Sequence, residues 1–251
     1  MGSRPSTVAR GEPARVSRDP AASRAKILDA ARIEFVTQGL NGARVDRIAE
    51  RSGTNKNLIY HYFGSKEGLY LQVLERIYSG LRTSQKDAEL RALPPLEAMR
   101  QLVGNTYDHF VATPDLIRLM SVENIHYGRH LKSSTMVKPL YGPLLDTVRD
   151  LLRRGQADGT FRANVDAIDL YLSISGLAYF FLSNQYTLSW LLDRDFVSPP
   201  LLKQRREHII DMVLSYLQFG ARGPSARSRA EALQGRRHSR PAPPRKVKRE
   251  N

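Results

Sequence analysis

The chain has 251 residues, of which 41% are hydrophobic and 25% charged, and its lack of cysteine excludes disulfides and thiolate metal sites. Its net charge of +14 lies mostly at the ends, because residues 222–251 carry +8 and residues 1–22 carry +2. The central residues 23–221 carry only +4, so any contact of the folded body with nucleic acid must depend on a few well-placed side chains.

The two ends of the chain and its most apolar segment indicate where in the cell the protein is expected. Residues 1–22 and 222–251 are rich in Arg, Ser, Ala and Pro without periodicity, and we predict disordered basic tails there. The N-terminus lacks the apolar stretch of a secretory signal. The window Ile168–Leu182 is 15 residues long and contains Asp169, whereas a membrane span needs about 20 apolar residues. We expect a cytoplasmic protein with no membrane partner.

The segment from residue 23 to residue 75 carries the pattern of a helix-turn-helix domain. The first helix is predicted to begin at the N-cap Ser23 and to end at Gly39. A second helix of about eight residues ends at Gly53, and Asn55 caps a third. Two short helices joined by a tight turn that contains glycine are typical of helix-turn-helix domains.

The rest of the chain is predicted to be helical as well, since no segment alternates with a period of two. A fourth helix covers residues 66–81 and links the helix-turn-helix domain to a second helical domain at residues 76–221. Further helices are predicted at residues 95–112, 114–130, 136–157, 166–185 and 204–220. The fold class is therefore all-α, with an N-terminal helix-turn-helix domain and a C-terminal helical domain.

The third helix carries the side chains that suit DNA recognition. Ile59 and Phe63 are four residues apart and face inward, so the intervening polar groups point elsewhere. Lys, Arg and Tyr side chains bond phosphate oxygens, Asn addresses base edges, and Leu contacts the thymine methyl group. The predicted DNA-binding residues are Arg44, Thr54, Asn55, Lys56, Asn57, Leu58, Tyr60, His61 and Lys66.

Residues 24–74 resemble the DNA-binding domain of the TetR family of one-component transcriptional regulators. The densest part of the match follows the family's run of lysine, variable residues, Leu-Tyr-His-His/Tyr-Phe, any residue and Ser-Lys-Glu. The residues that carry it are Lys56, Ile59, Tyr60, Tyr62, Phe63, Ser65, Lys66, Glu67 and Leu69, after Ile27, Leu28, Ala30, Ala31, Phe35, Gly39, Val45, Ile48, Ala49 and Gly53.

The resemblance implies roles for several of these positions. Tyr60, His61 and Lys66 match positions that hold phosphates in the family, and Thr54 to Asn57 match positions that approach base edges. Two residues differ from the family pattern. Arg44 stands where a Thr or Ser usually caps the second helix. Leu58 stands where a Ser or Thr commonly contacts phosphate, so Leu58 suggests either an apolar base contact or a slightly shifted docking on the DNA.

The C-terminal domain resembles the family mainly in layout. Residues 155–166 look like the family loop that precedes the penultimate helix, which pairs with the last helix and the partner's copies in a four-helix bundle. Apolar residues in the last helix repeat every four positions, so we predict a homodimer, although burial inside one subunit explains the same pattern. The predicted interface residues are Tyr179, Ile209, Val213, Tyr216 and Leu217.

A small-molecule effector and no cofactor are implied by the resemblance. Polar residues that interrupt the apolar helices are the candidate ligand-binding residues: His109, Glu123, Asn124, His126, Tyr127, Tyr171, Asn184 and Tyr186. Glu123, His126 and His130 share one helical face, a spacing that suits a metal ion but equally a hydrogen-bonded polar face. A second Glu-x-x-His motif, which a di-iron bundle requires, is missing.

The sequence thus predicts a ligand-responsive DNA-binding regulator, a repressor that binds a pseudo-palindromic DNA operator as a dimer. A helical-bundle enzyme or metal-binding protein is the first alternative, although no nucleophile–base pair or phosphate loop is present. The second alternative is an architectural DNA-binding protein that uses its basic tails.

Overall fold

The computed structural model describes residues 19–80 and 89–220, and the regular elements in these ranges are helices without a strand. The prediction of an all-α fold is confirmed. The described chain divides into two compact units. The first consists of the residues up to Tyr78 together with Arg118–Ser134, and the second consists of Ser79–Ile117 and the residues from Thr135 onward.

Four consecutive helices begin the first unit: α1 (Pro20–Gly42), α2 (Val45–Ser52), α3 (Lys56–Phe63) and α4 (Lys66–Ser79). Their apolar faces meet in one core, where Phe35 of α1 and Tyr70 of α4 pack edge to face with ring centroids 5.1 Å apart. Ile48 and Ile59 bring α2 and α3 into the same core, since both are buried. The predicted apolar faces of these helices are therefore the faces that pack.

The bounds of α1 differ from the prediction. Asp19, not Ser23, caps the helix by accepting a hydrogen bond from the Ala21 backbone N–H at 2.9 Å. Residues 20–22, predicted to belong to a tail, are thus the first turn of α1, where Pro20 costs no hydrogen bond because the first helical amides have no partner inside the helix. The other residues of the two predicted tails lie almost entirely outside the described residues.

Residues 118–134 return to the first unit and contain a buried carboxylate. Glu123 is 1% exposed and accepts hydrogen bonds from the backbone N–H groups of His130 at 3.2 Å and Leu131 at 3.1 Å. The His130 ring packs edge to face on Tyr70 of α4, with centroids 5.1 Å apart, and the Ser134 hydroxyl donates to Glu75 at 2.7 Å. A domain boundary at residue 75 therefore omits part of the first unit.

The second unit contains α5 (Pro95–Ala112), the beginning of α6 (Pro114–Ile125), α7 (Tyr141–Ala157), α8 (Ala167–Leu191) and α9 (Pro199–Gln218). Short 3-10 turns lie at Leu131–Ser133 in the first unit and at Lys138–Leu140 in the second. Helix α5 packs against α7, α8 and α9, and the side chains of Leu102, Leu151, Ile174 and Leu217 are buried among them.

Several predicted bounds in this part of the chain are corrected. The helix predicted at 114–130 ends at Ile125, because Tyr127 and Gly128 take the left-handed conformation with φ of 56° and 65°. Helix α7 begins five residues later than predicted, α8 continues to Leu191, and α9 begins at Pro199. Proline is tolerated in the first turn of a helix, so Pro199 starts α9 instead of separating two helices.

Gly155, near the end of α7, packs against Phe161 of the loop between α7 and α8. A Cβ atom on Gly155 would lie 2.1 Å from the Phe161 ring, so only glycine leaves room for that side chain. The Phe161 backbone N–H donates to the Gly155 carbonyl at 2.7 Å, and the next residue, Arg162, donates to the Leu217 carbonyl of α9 at 2.7 Å. The loop thereby fastens α7 to the end of α9.

No helix within residues 19–80 and 89–220 is long and apolar enough to span a membrane.

Candidate nucleic-acid interface

The turn between α2 and α3 is built by three consecutive residues. Gly53 takes the left-handed conformation with φ of 64° and ψ of 30°, which lets the Thr54 backbone N–H reach the Ala49 carbonyl at 2.9 Å. The Asn55 side chain then caps α3 by accepting from the Leu58 backbone N–H at 2.8 Å. The predicted glycine turn and asparagine cap are both present, and they set the direction in which α3 leaves the turn.

Helix α3 buries one side and exposes the other. Ile59 is 1% exposed and Phe63 is also buried, whereas Tyr60 is 45% exposed and Asn57 and His61 are exposed. The outward face therefore carries an amide, a phenol and an imidazole, which are groups that bond base edges and phosphate oxygens. A shallow depression along this face is lined by Ser23, Asn55, Asn57, Leu58, His61 and Tyr62.

Three of the predicted DNA-binding residues use their polar groups inside the unit. The Thr54 hydroxyl is hydrogen-bonded to Ser52 at 2.8 Å, and Asn55 Oδ1 is taken by the cap of α3. Lys56 forms an ion pair with Asp46 of α2, with Nζ and Oδ1 2.5 Å apart. Because both side chains of this pair are about half exposed, a phosphate group could compete with Asp46 for the ammonium group.

A buried carboxylate replaces the cap that α2 lacks. Arg44 makes no side-chain cap, but its backbone N–H donates to Glu34 Oε1 of α1 at 3.1 Å, and Arg47 Nη1 lies 3.5 Å from the same oxygen. Glu34 is 3% exposed. A negative charge beside the N-terminus of a helix stabilises that end. Glu34 therefore links α1 to α2, a role that the sequence analysis missed because the partners are ten and thirteen residues apart.

Lys66 also has a partner within the unit. Its ammonium group donates to the Ala43 carbonyl in the α1–α2 connection at 3.2 Å. The first turn of α4 is capped by Ser65, which accepts from the Gly68 backbone N–H at 3.0 Å. Arg24 lies over the Phe63 ring at 5.7 Å and bonds Gln72 of α4. These contacts tie the C-terminal end of α3 and the start of α4 to α1 and to the α1–α2 connection.

Tyr70 and Glu123 are two buried ionisable groups that interact inside the first unit. Burial, together with the negative charge of Glu123, raises the pKa of the Tyr70 hydroxyl above its usual range. The tyrosine therefore stays neutral. The Glu123 carboxylate also accepts from His130 Nδ1 at 2.8 Å, so it is fully occupied by hydrogen bonds from the turn that follows α6.

The metal alternative for Glu123, His126 and His130 does not fit this geometry. The Glu123 oxygens are turned toward the His130 ring and two backbone amides, and the two histidine ring centroids are 6.3 Å apart. No group of three or more His, Asp or Glu side chains within residues 19–80 and 89–220 is arranged to hold a metal ion. The one helical face expected for the three residues is absent, because α6 ends at Ile125.

The eight predicted ligand-binding residues are divided between the two units. Four lie in the first unit, where Glu123 is buried, Asn124 and Tyr127 are exposed, and His126 is half-buried. The other four lie in the second unit: His109, Tyr171, Asn184 and Tyr186. There, Tyr171 packs against Tyr141 and Asn184 bonds the Phe180 carbonyl of its own helix. In these cases, a polar residue within an apolar helix makes contacts with its own unit.

Part of the predicted interface is corrected by burial. Ile209, Val213 and Leu217 are at most 4% exposed, so the apolar repeat of α9 faces the core of its own unit. Tyr216 is exposed and Tyr179 is half-buried. Within the described part of the second unit, the large exposed apolar side chains lie mostly along α8 and on the outer side of α9: Ile168, Leu172, Phe180, Tyr186, Trp190, Leu191, Met212 and Tyr216.

Two family models match the chain. Residues 27–73 match the model of bacterial regulatory proteins of the tetR family, and residues 95–213 match the model of a tetracyclin repressor-like C-terminal domain. The helix-turn-helix accounts for only the first of these matches. Similarity to known regulators therefore extends into the second unit.

Individual transcriptional regulators are also similar to this chain over most of their length. The HTH-type transcriptional repressor NicS from Pseudomonas putida is 34% identical over 196 residues, which cover 78% of this chain and 92% of NicS. The HTH-type transcriptional repressor SCO4008 from Streptomyces coelicolor is 33% identical over 64% of this chain and 79% of its own length. The crystal structure of SCO4942 from Streptomyces coelicolor matches with a TM-score of 0.59 and 29% identity, over 78% of this chain and 98% of that one.

Proposed function

The chain belongs to the TetR family of bacterial regulatory proteins, and from that premise we propose a dimeric repressor that leaves its operator when a small molecule binds. The protein is a DNA-binding transcriptional regulator and not an enzyme. Repression is supported by the names of NicS and SCO4008, which are both transcriptional repressors. Action on bacterial DNA supports a cytoplasmic location.

The outward face of α3 is the observation that carries the proposed DNA contact. Ile59 and Phe63 hold the helix in the core, while Asn57, Tyr60 and His61 are exposed on the other side. We assign base contacts to Asn57 and Leu58 and phosphate contacts to Tyr60 and His61. Lys66 and Lys56 take a secondary part, because the ammonium group of each has a partner inside the unit. Arg44 keeps its predicted phosphate contact, because its bond to Glu34 uses the backbone N–H and not the guanidinium group.

A homodimer is supported by the apolar side chains that α8 and α9 leave exposed. Leu172 and Trp190 are 60% and 80% exposed, and Tyr216 and Phe219 add to the apolar surface of α9. Gly176 of α8 has no atom within 4 Å of the position that a Cβ atom would take, which allows a second helix to approach closely. Two copies joined here would read two half-sites of a pseudo-palindrome.

The test is selection of binding sites from random DNA with the full chain. We expect a short pseudo-palindrome whose affinity falls with salt, because each phosphate contact releases counterions. Tyr60→Ala and His61→Ala should weaken binding by a similar factor on all DNA sequences, because each removes a hydrogen bond to a phosphate oxygen and not a base contact. Gln38→Ala, an exposed residue of α1, is the matched control and should bind like the unmodified protein.

Two outcomes would contradict the proposal. Unchanged affinity of both α3 variants at fixed salt would show that this helix face does not contact DNA. Deletion of residues 1–18 and 221–251 addresses the architectural alternative: loss of all sequence-specific binding would favour the tails, whereas retained specificity with weaker non-specific affinity supports the helix-turn-helix.

A further inference from the structure

A cavity of about 390 Å³ opens in the second unit between the C-terminal half of α8, the loop that follows it, and the N-terminal half of α9. Pockets for small molecules typically measure about 300 to 1,000 Å³, so this one suits a compact ligand. None of the eight residues predicted from the sequence as ligand-binding lines it. The site therefore depends on a different set of side chains.

Aromatic rings form the apolar wall of the cavity. Phe181 of α8 and Phe196 of the following loop pack edge to face, with centroids 5.6 Å apart and an interplanar angle of 88°. Phe180 lines the opening and is itself exposed. Walls of this kind favour a flat, unsaturated ligand that stacks on one ring and meets the edge of another.

The polar lining of the cavity is cationic. Arg205 of α9 lies over the Phe181 ring at 5.3 Å, and Arg194 of the loop lies over the Phe196 ring at 5.8 Å. His208 and Gln204 complete the polar side, and no Asp or Glu of the described chain lines the cavity. The cavity thus combines stacking surfaces with two guanidinium groups.

Both guanidinium groups have unused hydrogen-bonding capacity. Arg205 donates through Nη2 to the Leu177 carbonyl at 3.2 Å, but its Nε atom is buried and has no hydrogen-bond partner in residues 19–80 and 89–220. Arg194 donates to the Gln204 side chain at 3.2 Å. A buried donor without a partner is costly unless something binds there.

Other arginines of this unit are paired differently. Arg206, the neighbour of Arg205, binds Asp108 through Nε at 2.9 and 3.0 Å, and Arg153 binds Asp150 at 2.6 Å. Arg194 and Arg205 form no ion pair with a carboxylate of the described residues. Because both arginines that line the cavity lack a carboxylate partner among the described residues, they can pair with an anion that comes from outside the chain.

A second buried polar group lies near Arg205. Tyr107 of α5 is 2% exposed, and its hydroxyl has no hydrogen-bond partner among the described side chains and backbone groups. Burial raises the pKa of Tyr107 to about 12, although the positive charge of Arg205 acts to lower it. The phenol therefore stays neutral and able to donate.

We propose that this cavity binds a flat aromatic carboxylate, whose carboxylate group accepts hydrogen bonds from Arg205 and Arg194 while its ring packs against the phenylalanine side chains that line the cavity. The inference rests on the proposed function, since it names the chemical class of the effector. A carboxylate satisfies the buried Nε donor with a charge-assisted hydrogen bond. A neutral ligand of the same shape leaves both guanidinium charges unpaired.

The test compares 2-naphthoate with 2-naphthamide, which has the same shape but no charge, by calorimetric titration of the full-length protein. We expect the carboxylate to bind at least about tenfold more tightly, the usual effect of one or more hydrogen bonds to a charged group. Arg205→Met should remove this preference. Arg194→Met, in an exposed loop position that tolerates change, should reduce it even if the Arg205 variant is unstable.

Arg153→Met is the matched control, because Arg153 is an exposed arginine of the same unit outside the cavity; it should keep the full preference. Equal binding of acid and amide, binding unaffected by Arg194→Met and Arg205→Met, or no binding of either compound because a partner subunit covers the cavity would each overturn the proposal. Operator binding measured in parallel separates the outcomes: if DNA binding persists while naphthoate fails, the ligand class is wrong and the regulator function stands.

Discussion

The helix-turn-helix and the α8–α9 pair of the second unit use their side chains in opposite ways. In the helix-turn-helix, Glu34 and Lys66 bond backbone groups of neighbouring elements and Asn55 caps α3, so that bonds inside the unit fix the position of the helices. Along α8 and α9, by contrast, large apolar side chains are exposed and two arginines lack a carboxylate partner among the described residues.

This contrast indicates how each region meets its partner. A reading helix must be held in one orientation, because a contact to a base edge is lost when the helix tilts. The internal bonds supply that rigidity before DNA arrives. We propose that the α8–α9 surface is completed by other molecules: a second subunit on its apolar face and an aromatic acid in its cavity. Four variants test the two units, in order from the largest expected effect to the smallest.

The largest effect is expected when the exposed apolar face is given charge. Leu172→Glu combined with Trp190→Glu should raise the dimer dissociation constant about a hundredfold or more, because two carboxylates would be buried in an apolar interface. Sedimentation velocity over a concentration series measures the change. Arg153→Glu on α7 adds negative charge elsewhere and should leave the dimer intact. A double variant that dimerises normally would place the interface on another surface.

The next effect concerns packing inside the second unit. Gly155→Ala should lower the free energy of unfolding by about 2 to 3 kcal/mol, since the new methyl group would lie 2.1 Å from the Phe161 ring. Gly142→Ala on the same helix meets no atom within 4 Å and should stabilise by about 0.5 kcal/mol through helix propensity. Urea unfolding of both variants gives the comparison; equal effects would mean that the Phe161 ring is mobile.

The next prediction concerns the hydrogen bonds that Glu34 makes inside the helix-turn-helix domain. Glu34→Ala should cost about 1 to 2 kcal/mol of unfolding free energy, because the Arg44 backbone N–H loses its acceptor and α2 loses a negative charge at its N-terminus. Operator affinity should fall as well. Glu50→Ala removes an exposed carboxylate from α2 and should change neither the unfolding free energy nor the operator affinity. A Glu34 variant that is as stable as the parent would show that the cap is dispensable.

The smallest effect is expected at the ion pair between α2 and α3. Asp46→Asn should tighten operator binding about two- to fivefold at fixed salt, because Lys56 is released toward phosphate and one repelling charge is removed. Asp29→Asn changes a similarly exposed aspartate that pairs with Arg76 on α4 and should have little effect. Weaker binding by the Asp46 variant would mean that the ion pair orients α3.

The sequence predicted the parts of this protein that depend on neighbours in the chain. The turn at Gly53, the cap at Asn55 and the inward faces of Ile59 and Phe63 follow from local backbone preferences and helical spacing, so periodicity and residue type were sufficient. The bounds of the helices were less accurate, as at Pro20 and Pro199, because proline can either start a helix or separate two.

Tertiary structure alone decided which groups meet across elements. Periodicity showed that α9 has an apolar face, but only packing shows that Ile209, Val213 and Leu217 are covered by their own unit. The same holds for Glu34 beside Arg44, for residues 118–134 in the first unit, and for the two arginines of the cavity. The reason is physical: a local pattern specifies which side of a helix avoids water, whereas the partner on that side depends on contacts between residues far apart in the chain.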